Sequence, residues 1–410
     1  MKVMGKRFLV VADDFTGAND TGVQLKRYGM LVKVLLDGKQ SDGEDSLVLD
    51  TESRALAAEA ASRKVTEMLE GVDLSEFSFV IKKVDSTLRG NVAEEIAALD
   101  ALYRSELIVF APAFPDLGRT TVQGVHRLHG IRVSETEIGC DPKSPVVEDR
   151  LERILQAVFE EDVVQYGLAE IRGSLHLGEA RICCFDSETN DDMQAVVRTV
   201  MATGKRVLWV GSAAIADMLL RTLRQVRPAF AICGSVSDVT RRQIHTAQKA
   251  GAHLVSMPVP EFLHGDAKRE TYVEACSEIL NQGRDVILLS SASYDRTEIE
   301  RSVQAGKKCG MELLEIGTYV QNLLGEIGAA VLEKNEIAGI FLTGGDTAMG
   351  FLQRIGARGS SIQEEIAIGI PKLRILGGAY DGMSAVTKAG AFGSDGDILY
   401  ALRKLKEWKD

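Results

Sequence analysis

The chain has 410 residues, more than one ordinary hydrophobic core accommodates, so two domains are expected. A formal net charge of -11 argues against nucleic acid or an anionic membrane as the main partner, and no apolar run approaches the ~20 residues of a bilayer span. With 45% hydrophobic and 26% charged residues, and a basic start (residues 1–7) whose following apolar run ends at Asp13, too soon for a signal peptide, the expectation is a cytoplasmic globular protein.

Phe8–Ala12 is an apolar run that reads as a buried parallel strand, ending on the adjacent carboxylates Asp13 and Asp14. Gly17 allows close backbone approach, and a helix is predicted to start near Asn19 or Asp20 and to close at Gly29. In open α/β sheets ligands bind beyond the carboxyl ends of strands, which is where this acidic pair falls; an acid there also serves as an ordinary helix cap. Strands over 32–36 and 46–49 follow, the second running into Asp50-Thr51-Glu52-Ser53-Arg54 ahead of an alanine-rich helix over 55–69. The stretch 77–84 leads into Lys82-Lys83-Val84-Asp85-Ser86-Thr87-Leu88-Arg89-Gly90-Asn91, and a strand over 107–111 meets a proline-bearing loop. Residues 130–150 lack periodicity and read as an excursion. Strands over 182–185 and 207–210 complete the first half, and a polar, proline-bearing link over 223–228 separates a domain of residues 1–227 from one of residues 228–410.

The second half repeats the style. A strand over 230–233 precedes Gly234-Ser235-Val236-Ser237-Asp238 and a helix from Val239; one over 286–289 precedes Ser290-Ser291-Ala292-Ser293. A strand over 339–342 precedes Thr343-Gly344-Gly345-Asp346-Thr347-Ala348 and a helix through Ile355; one over 373–376 precedes Gly377-Gly378, and Thr387-Lys388-Ala389-Gly390-Ala391-Phe392-Gly393 follows. Strands alternating with helices in both halves give the fold class: α/β, two domains with mostly parallel sheets flanked by helices.

The first half supplies charge. Lys82, Lys83, Asp85 and Arg89, beside a sheet edge that also holds Asp14 and Arg54, suit a small carboxylate bearing hydroxyls, because an arginine clasps a carboxylate with two parallel bonds. The second half supplies glycine and hydroxyl turns at helix starts, around Ser235, Ser291, Gly344 and Gly390, where backbone amides without side-chain bulk suit phosphate. No G-x-x-x-x-G-K-[ST], kinase HRD or DFG set, or G-x-G-x-x-G after a strand is present. The six cysteines show no CxxC pair and the six histidines no HxH or HExxH pattern, so no zinc site is expected. A polyhydroxy-acid site facing a phosphate cradle across an interdomain cleft suits phosphoryl transfer with Mg²⁺ neutralising charge and Asp14 or Asp13 taking the acceptor hydroxyl's proton.

These motifs, in this order over nearly the whole chain, resemble those of the four-carbon acid sugar kinase family. The resemblance implies ATP-dependent phosphorylation of the 4-hydroxyl of a four-carbon sugar acid, in the D-threonate branch by the Asn19-Asp20-Thr21-Gly22 continuation, with D-erythronate or 3-oxo-tetronate as the alternative acids. Carried over residue by residue, it implies substrate contacts at Asp14, Arg54, Lys82, Lys83, Asp85 and Arg89. It implies nucleotide contacts at Ser235, Ser237, Gly344, Gly345, Asp346, Thr347, Gly390, Ala391, Phe392 and Gly393, with no metal ligands assigned. The partners it implies are ATP, Mg²⁺ and a small sugar acid, without nucleic acid or membrane, and a homodimer is allowed. Lys388-Ala389-Gly390 and Gly345-Asp346-Thr347 depart from the family's Lys-Ser-Gly and Gly-Glu-Thr, removing one hydroxyl and shortening one acid. Two other readings are a haloacid-dehalogenase-type phosphatase, which requires Asp-x-Asp where this chain has Asp13-Asp14, and a non-catalytic sugar-acid and nucleotide sensor, which would bind both without forming ADP.

Overall fold

Residues 6–37 and 45–407 are described by a computed structural model, so of the basic start only Lys6 and Arg7 fall within it. The chain divides into two units, one running to Gln225 and the other spanning Val226–Glu407.

The first unit contributes β1 (Phe8–Ala12), β2 (Val32–Leu35), β3 (Ser46–Asp50), β4 (Phe79–Lys83), β5 (Leu107–Ala111), β6 (Arg119–Val122), β7 (Val125–Leu128), β8 (Ile131–Arg132), β9 (Val163–Tyr166), β10 (Ile182–Phe185) and β11 (Val207–Gly211). Eight of these form one sheet in the order β2-β3-β1-β4-β11-β5-β10-β9, every pair parallel. Helices cover both faces, which is why β1 and β5 are continuous apolar runs, and why they and β3 are buried at every position rather than at alternate ones. The stretch ahead of the excursion and its first residues hold structure that the sequence did not announce: β6, β7 and β8 form a small antiparallel sheet. β9 also lies outside the predicted strands.

The second unit contributes β12 (Ala229–Cys233), β13 (His253–Met257), β14 (Val286–Ser290), β15 (Gly339–Thr343), β16 (Gly359–Ala367), β17 (Ile370–Leu376) and β18 (Ser384–Lys388). The order is β13-β14-β12-β15-β18-β17-β16, parallel through β18 and antiparallel beyond it. Two cores pack on its faces, one around Phe230, Leu288, Leu324 and Phe351, the other around Ile244, Phe341, Ile398 and Leu402. No helix among the described residues is long and apolar enough to cross a membrane.

Candidate active site

β3, β1 and β4 are neighbours with Ala12 level with both Asp50 and Lys83, so the turns that follow them open on one rim. There the acidic pair separates. Asp13 is 3% exposed, and its carboxylate takes Arg54 Nε at 2.6 Å and Nη2 at 3.0 Å. Asp14 is the cap of the helix Phe15–Arg27, its Oδ1 accepting from the Gly17 N–H at 3.1 Å. The helix therefore starts at Phe15 rather than near Asn19 or Asp20, which lie exposed within it: the cap that the sequence reading placed there is Asp14 itself. Among the described residues Asp14 Oδ2 makes no hydrogen bond, and the Asp14 side chain is 23% exposed against 4% for Asp13.

Arg54 is the hub. Besides clasping Asp13 it reaches Asp14 Oδ1 at 2.5 Å through Nη2 and faces Asp85 Oδ1 at 3.6 Å through Nη1. Burial works against its charge, but the hydrogen bonds it donates to Asp13 and the charges of Asp13, Asp85 and Asp14 win, and its proton is held more firmly than in free arginine. The two parallel bonds expected to clasp a ligand carboxylate are thus already made with Asp13.

The two lysines diverge because successive strand residues face opposite sides. Lys82 is fully buried, 2.9 Å from Glu95 Oε2 and donating to the carbonyls of Val11 and Lys83. The expected substrate contact at Lys82 falls on a residue whose ammonium is taken up inside the fold by this ion pair and these carbonyls. Lys83 belongs to the site. Its ammonium donates to Val84 O at 2.9 Å, one acceptor for its three donors, and a Cβ at Gly17 would lie 2.7 Å from it and 2.6 Å from Asp14 Oδ1. Gly17 is the gap that lets both charges sit against the helix. Burial lowers the Lys83 pKa despite the carboxylates of Asp13, Asp85 and Asp14 around it.

Asp85 is clasped by Arg89 Nε at 3.0 Å and Nη2 at 3.1 Å, and it accepts from the Thr87 N–H and hydroxyl. Burial opposes its charge, but Arg89, Arg54 and Thr87 hold its carboxyl well below the usual carboxylate range. Arg89 Nη1 also meets Asp141, out of the excursion, at 3.4 Å. Nothing in the sequence pointed to Asp141 or to His126. That imidazole is fully buried, with Nε2 2.9 Å from Ser86 O and Nδ1 3.0 Å from Thr121 Oγ1. Burial lowers its pKa to about 4, so the ring is neutral; Nε2–H donates to the carbonyl and Nδ1 accepts from the hydroxyl. It is a prop for the Asp85–Arg89 turn.

Behind Asp14 stands another acid. Asp50 is 2% exposed; Oδ1 accepts from the Glu52 N–H at 3.1 Å and Oδ2 has no partner. Burial first, then the nearby Glu52 and Asp14 charges, push its pKa up to about 6 against the backbone bond from Glu52. Glu52, in the left-handed region at φ 46, accepts from the Phe15 N–H at 3.0 Å. These residues line a recess of about 280 Å³ with Phe15, Leu36 and Lys64. A larger one, about 1070 Å³, lies at the amino ends of β4 and β11 among Phe79, Tyr103 and Val207, so cavity size does not mark this site.

In the second unit the turns singled out in the sequence follow β14, β12, β15 and β18, which are adjacent and parallel. Gly344, at φ 98, starts the helix Gly345–Arg354 without a side-chain cap. Its own N–H is spent on Lys388 O at 3.2 Å, whereas the amides of Gly345, Asp346 and Thr347 have no partner among the described residues. A Cβ at Gly345 would meet nothing within 4 Å, while at Gly234 it would strike Thr347 and at Gly390 it would strike Ser235. Ser237 caps the helix Asp238–Lys249 through Thr240 N–H and donates to Gly390 O at 2.5 Å; Ser235 Oγ lies 3.2 Å from Thr240 Oγ1. Ala391, Phe392 and Gly393 are exposed. The result is a bare helix start walled by two hydroxyl and glycine turns, an arrangement fitted to phosphate oxygens. The Ser291 turn makes a four-residue helix, Ser291–Tyr294, on the same edge.

Comparison with known proteins divides the chain in the same places. A family model described as a sugar-binding N-terminal domain matches residues 8–219, and one described as a nucleotide-binding C-terminal domain matches residues 230–398. The chain is 34% identical to a D-threonate kinase of Salmonella typhimurium over 98% of its own length and 99% of that protein's. It is 29% identical to a D-erythronate kinase of Heliobacterium modesticaldum, covering 94% of both. A crystal structure of a domain of unknown function from Bordetella bronchiseptica, a domain-swapped dimer with bound citrate, superposes with a TM-score of 0.55 at 27% identity, covering 98% of this chain and 99% of that one.

Proposed function

This chain belongs to the four-carbon acid sugar kinase family, and from that premise we propose that it uses ATP to phosphorylate the 4-hydroxyl of D-threonate. The observation that carries the reading is that the chain holds two unlike rims: a charged one on which Asp14 keeps a carboxylate oxygen without a hydrogen bond among the described residues, and one of unpartnered amides. The 34% identity to a D-threonate kinase supports D-threonate among the four-carbon acids, and D-erythronate and 3-oxo-tetronate are the competitors to test against it.

In this reading Asp14 is the base, because Asp13 is locked by Arg54 while Asp14 keeps Oδ2 without a partner. The 4-hydroxyl proton passes to Asp14 as the bond from O4 to the γ-phosphorus forms and the bond from that phosphorus to the β,γ-bridging oxygen breaks, leaving ADP. Lys83 and Arg89 supply positive charge for the acid's carboxylate, and Asp85 fixes Arg89. The amides of Gly345, Asp346 and Thr347, with the turns at Ser235 and Gly390, hold the phosphates. No group of three or more metal-ligating side chains stands together among the described residues, which suits Mg²⁺ carried on the nucleotide and met by a single carboxylate such as Asp346. Bound there it would neutralise phosphate charge. The need for ATP and six free cysteines support a cytoplasmic setting, and the swapped Bordetella dimer supports a homodimer, which light scattering after gel filtration would test.

The deciding experiment is coupled ADP release on D-threonate, D- and L-erythronate, L-threonate and the 3-oxo acids. D-threonate should give the highest kcat/KM. Asp14→Asn should lower kcat by about 10²–10⁴ with ATP affinity retained. ATP-independent phosphate release would point to a phosphatase, and ATP binding without ADP above background to a sensor.

A further inference from the structure

Lys388 ends β18 at 3% exposure, yet among the described residues no carboxylate touches it. Its ammonium lies 3.0 Å from Ala389 O, 3.1 Å from Gly390 O, 3.2 Å from Phe392 O and 3.4 Å from Thr240 Oγ1. Three donors among four oxygens is how a pocket of carbonyls solvates a small monovalent cation. The Gly390 carbonyl is gathered further by Ser237 Oγ at 2.5 Å and Thr240 Oγ1 at 2.9 Å, and the Lys388 carbonyl takes the Gly344 N–H. One residue thus ties together the Ser235, Gly344 and Gly390 turns. Burial lowers its pKa, with Cys233 and Asp397 acting at a distance in the opposite sense.

The cage has a geometric consequence. A trans peptide unit is planar, with its C=O and N–H pointing in opposite directions. Carbonyls 389, 390 and 392 turned toward the ammonium therefore direct the amides of Gly390, Ala391 and Gly393 away from it. Those three amides have no protein acceptor among the described residues, whereas the Phe392 N–H is used internally on Ala389 O. We propose that Lys388 is a positioning residue, a built-in cation that gathers the carbonyls of its own loop and so presents that loop's amides to the nucleotide's phosphates. This rests on the reading of the second unit as nucleotide-binding.

The test uses the full chain, with ATP and acid titrated separately. Lys388→Met keeps the packing and removes the charge. It should raise the KM for ATP about tenfold or more while the KM for the acid stays within about twofold. Lys388→Ala opens the cage, and its ATP defect should be relieved in large part by ammonium or methylammonium chloride but not by tetramethylammonium chloride at the same ionic strength, since that ion is too large to enter. A Met variant that binds ATP as the wild type does, equal losses for ATP and acid, or rescue that is the same with all three salts would each overturn the assignment. If the Ala variant is recovered unfolded, the Met variant decides alone. Failure of the wild-type chain to bind ATP would instead sink the functional reading, which keeps the two failures apart.

Discussion

Adjacent residues on an extended backbone point to opposite sides, and at the end of β1 this sends Asp13 into the Arg54 clasp and Asp14 to the helix cap. The sequence names both acids but not which way the pleat runs, and the choice depends on Arg54, 40 positions away. Gly345 was legible as part of a turn, but its value as a probe was not. Of the four glycines assigned nucleotide contacts, Gly344, Gly345, Gly390 and Gly393, it alone has ordinary φ and no neighbour within 4 Å, so Gly345→Val should leave the fold and melting temperature nearly unchanged while abolishing ATP binding by calorimetric titration. Gly344, at φ 98, would confound strain with occlusion. Asp50 gives a stability prediction. Its folded pKa, about 6, exceeds the ordinary 3.8, so the folded state binds the proton more tightly, and that stabilisation is full below the ordinary value and lost as pH rises through about 6. Asp50→Asn keeps the acceptor for Glu52 N–H and removes the charge. It should raise the melting temperature at alkaline pH, with the gain shrinking as pH falls from about 6 toward 3.8; a gain that is constant with pH would count against ionised Asp50 as the cause.

At the scale of elements, what could be read was what burial dictates. Parallel strands covered on both faces are apolar along most of their length, and β1, β3, β5, β10, β12, β14 and β15 were recognisable for that reason. β16 was not: an antiparallel edge strand reading Gly-Ser-Ser-Ile-Gln-Glu-Glu-Ile-Ala is mostly exposed and has a bulge in its register, so neither a hydrophobic run nor strict alternation marks it. The end of β4 shows the opposite difficulty, a charged residue in a core. Lys82 and Glu95 bond a strand to the first turn of the helix Val92–Tyr103, and no spacing rule predicts a partner across a turn. Removing one member leaves a buried charge uncompensated, so Lys82→Met should cost about 3–5 kcal/mol in urea unfolding. Lys82→Met combined with Glu95→Leu should recover most of that loss. A single variant as stable as the wild type would show the pair to be dispensable.

For the whole molecule, the alternation of strand and helix gave two α/β units, each with its own core, and their chemistries are separate enough to be assayed separately. Calorimetry of the full chain should resolve two transitions. ATP at about a hundred times its Kd contributes about 2.7 kcal/mol to the unit Val226–Glu407, and should move that transition alone, while D-threonate moves the other. Equal displacement of both by ATP would contradict the division of labour. The order of strands in the larger sheet also bears on how the chain is made. β11 (207–211) lies between β4 (79–83) and β5 (107–111), so the middle of the sheet is the last part to leave the ribosome. Until then the nascent polypeptide carries two half-sheets with open inner edges, one bordering Lys83, which is the interval when a holdase chaperone has most to shield. Once Gly211 emerges the seam can close, while the second unit, which starts at Val226, has still to leave the ribosome.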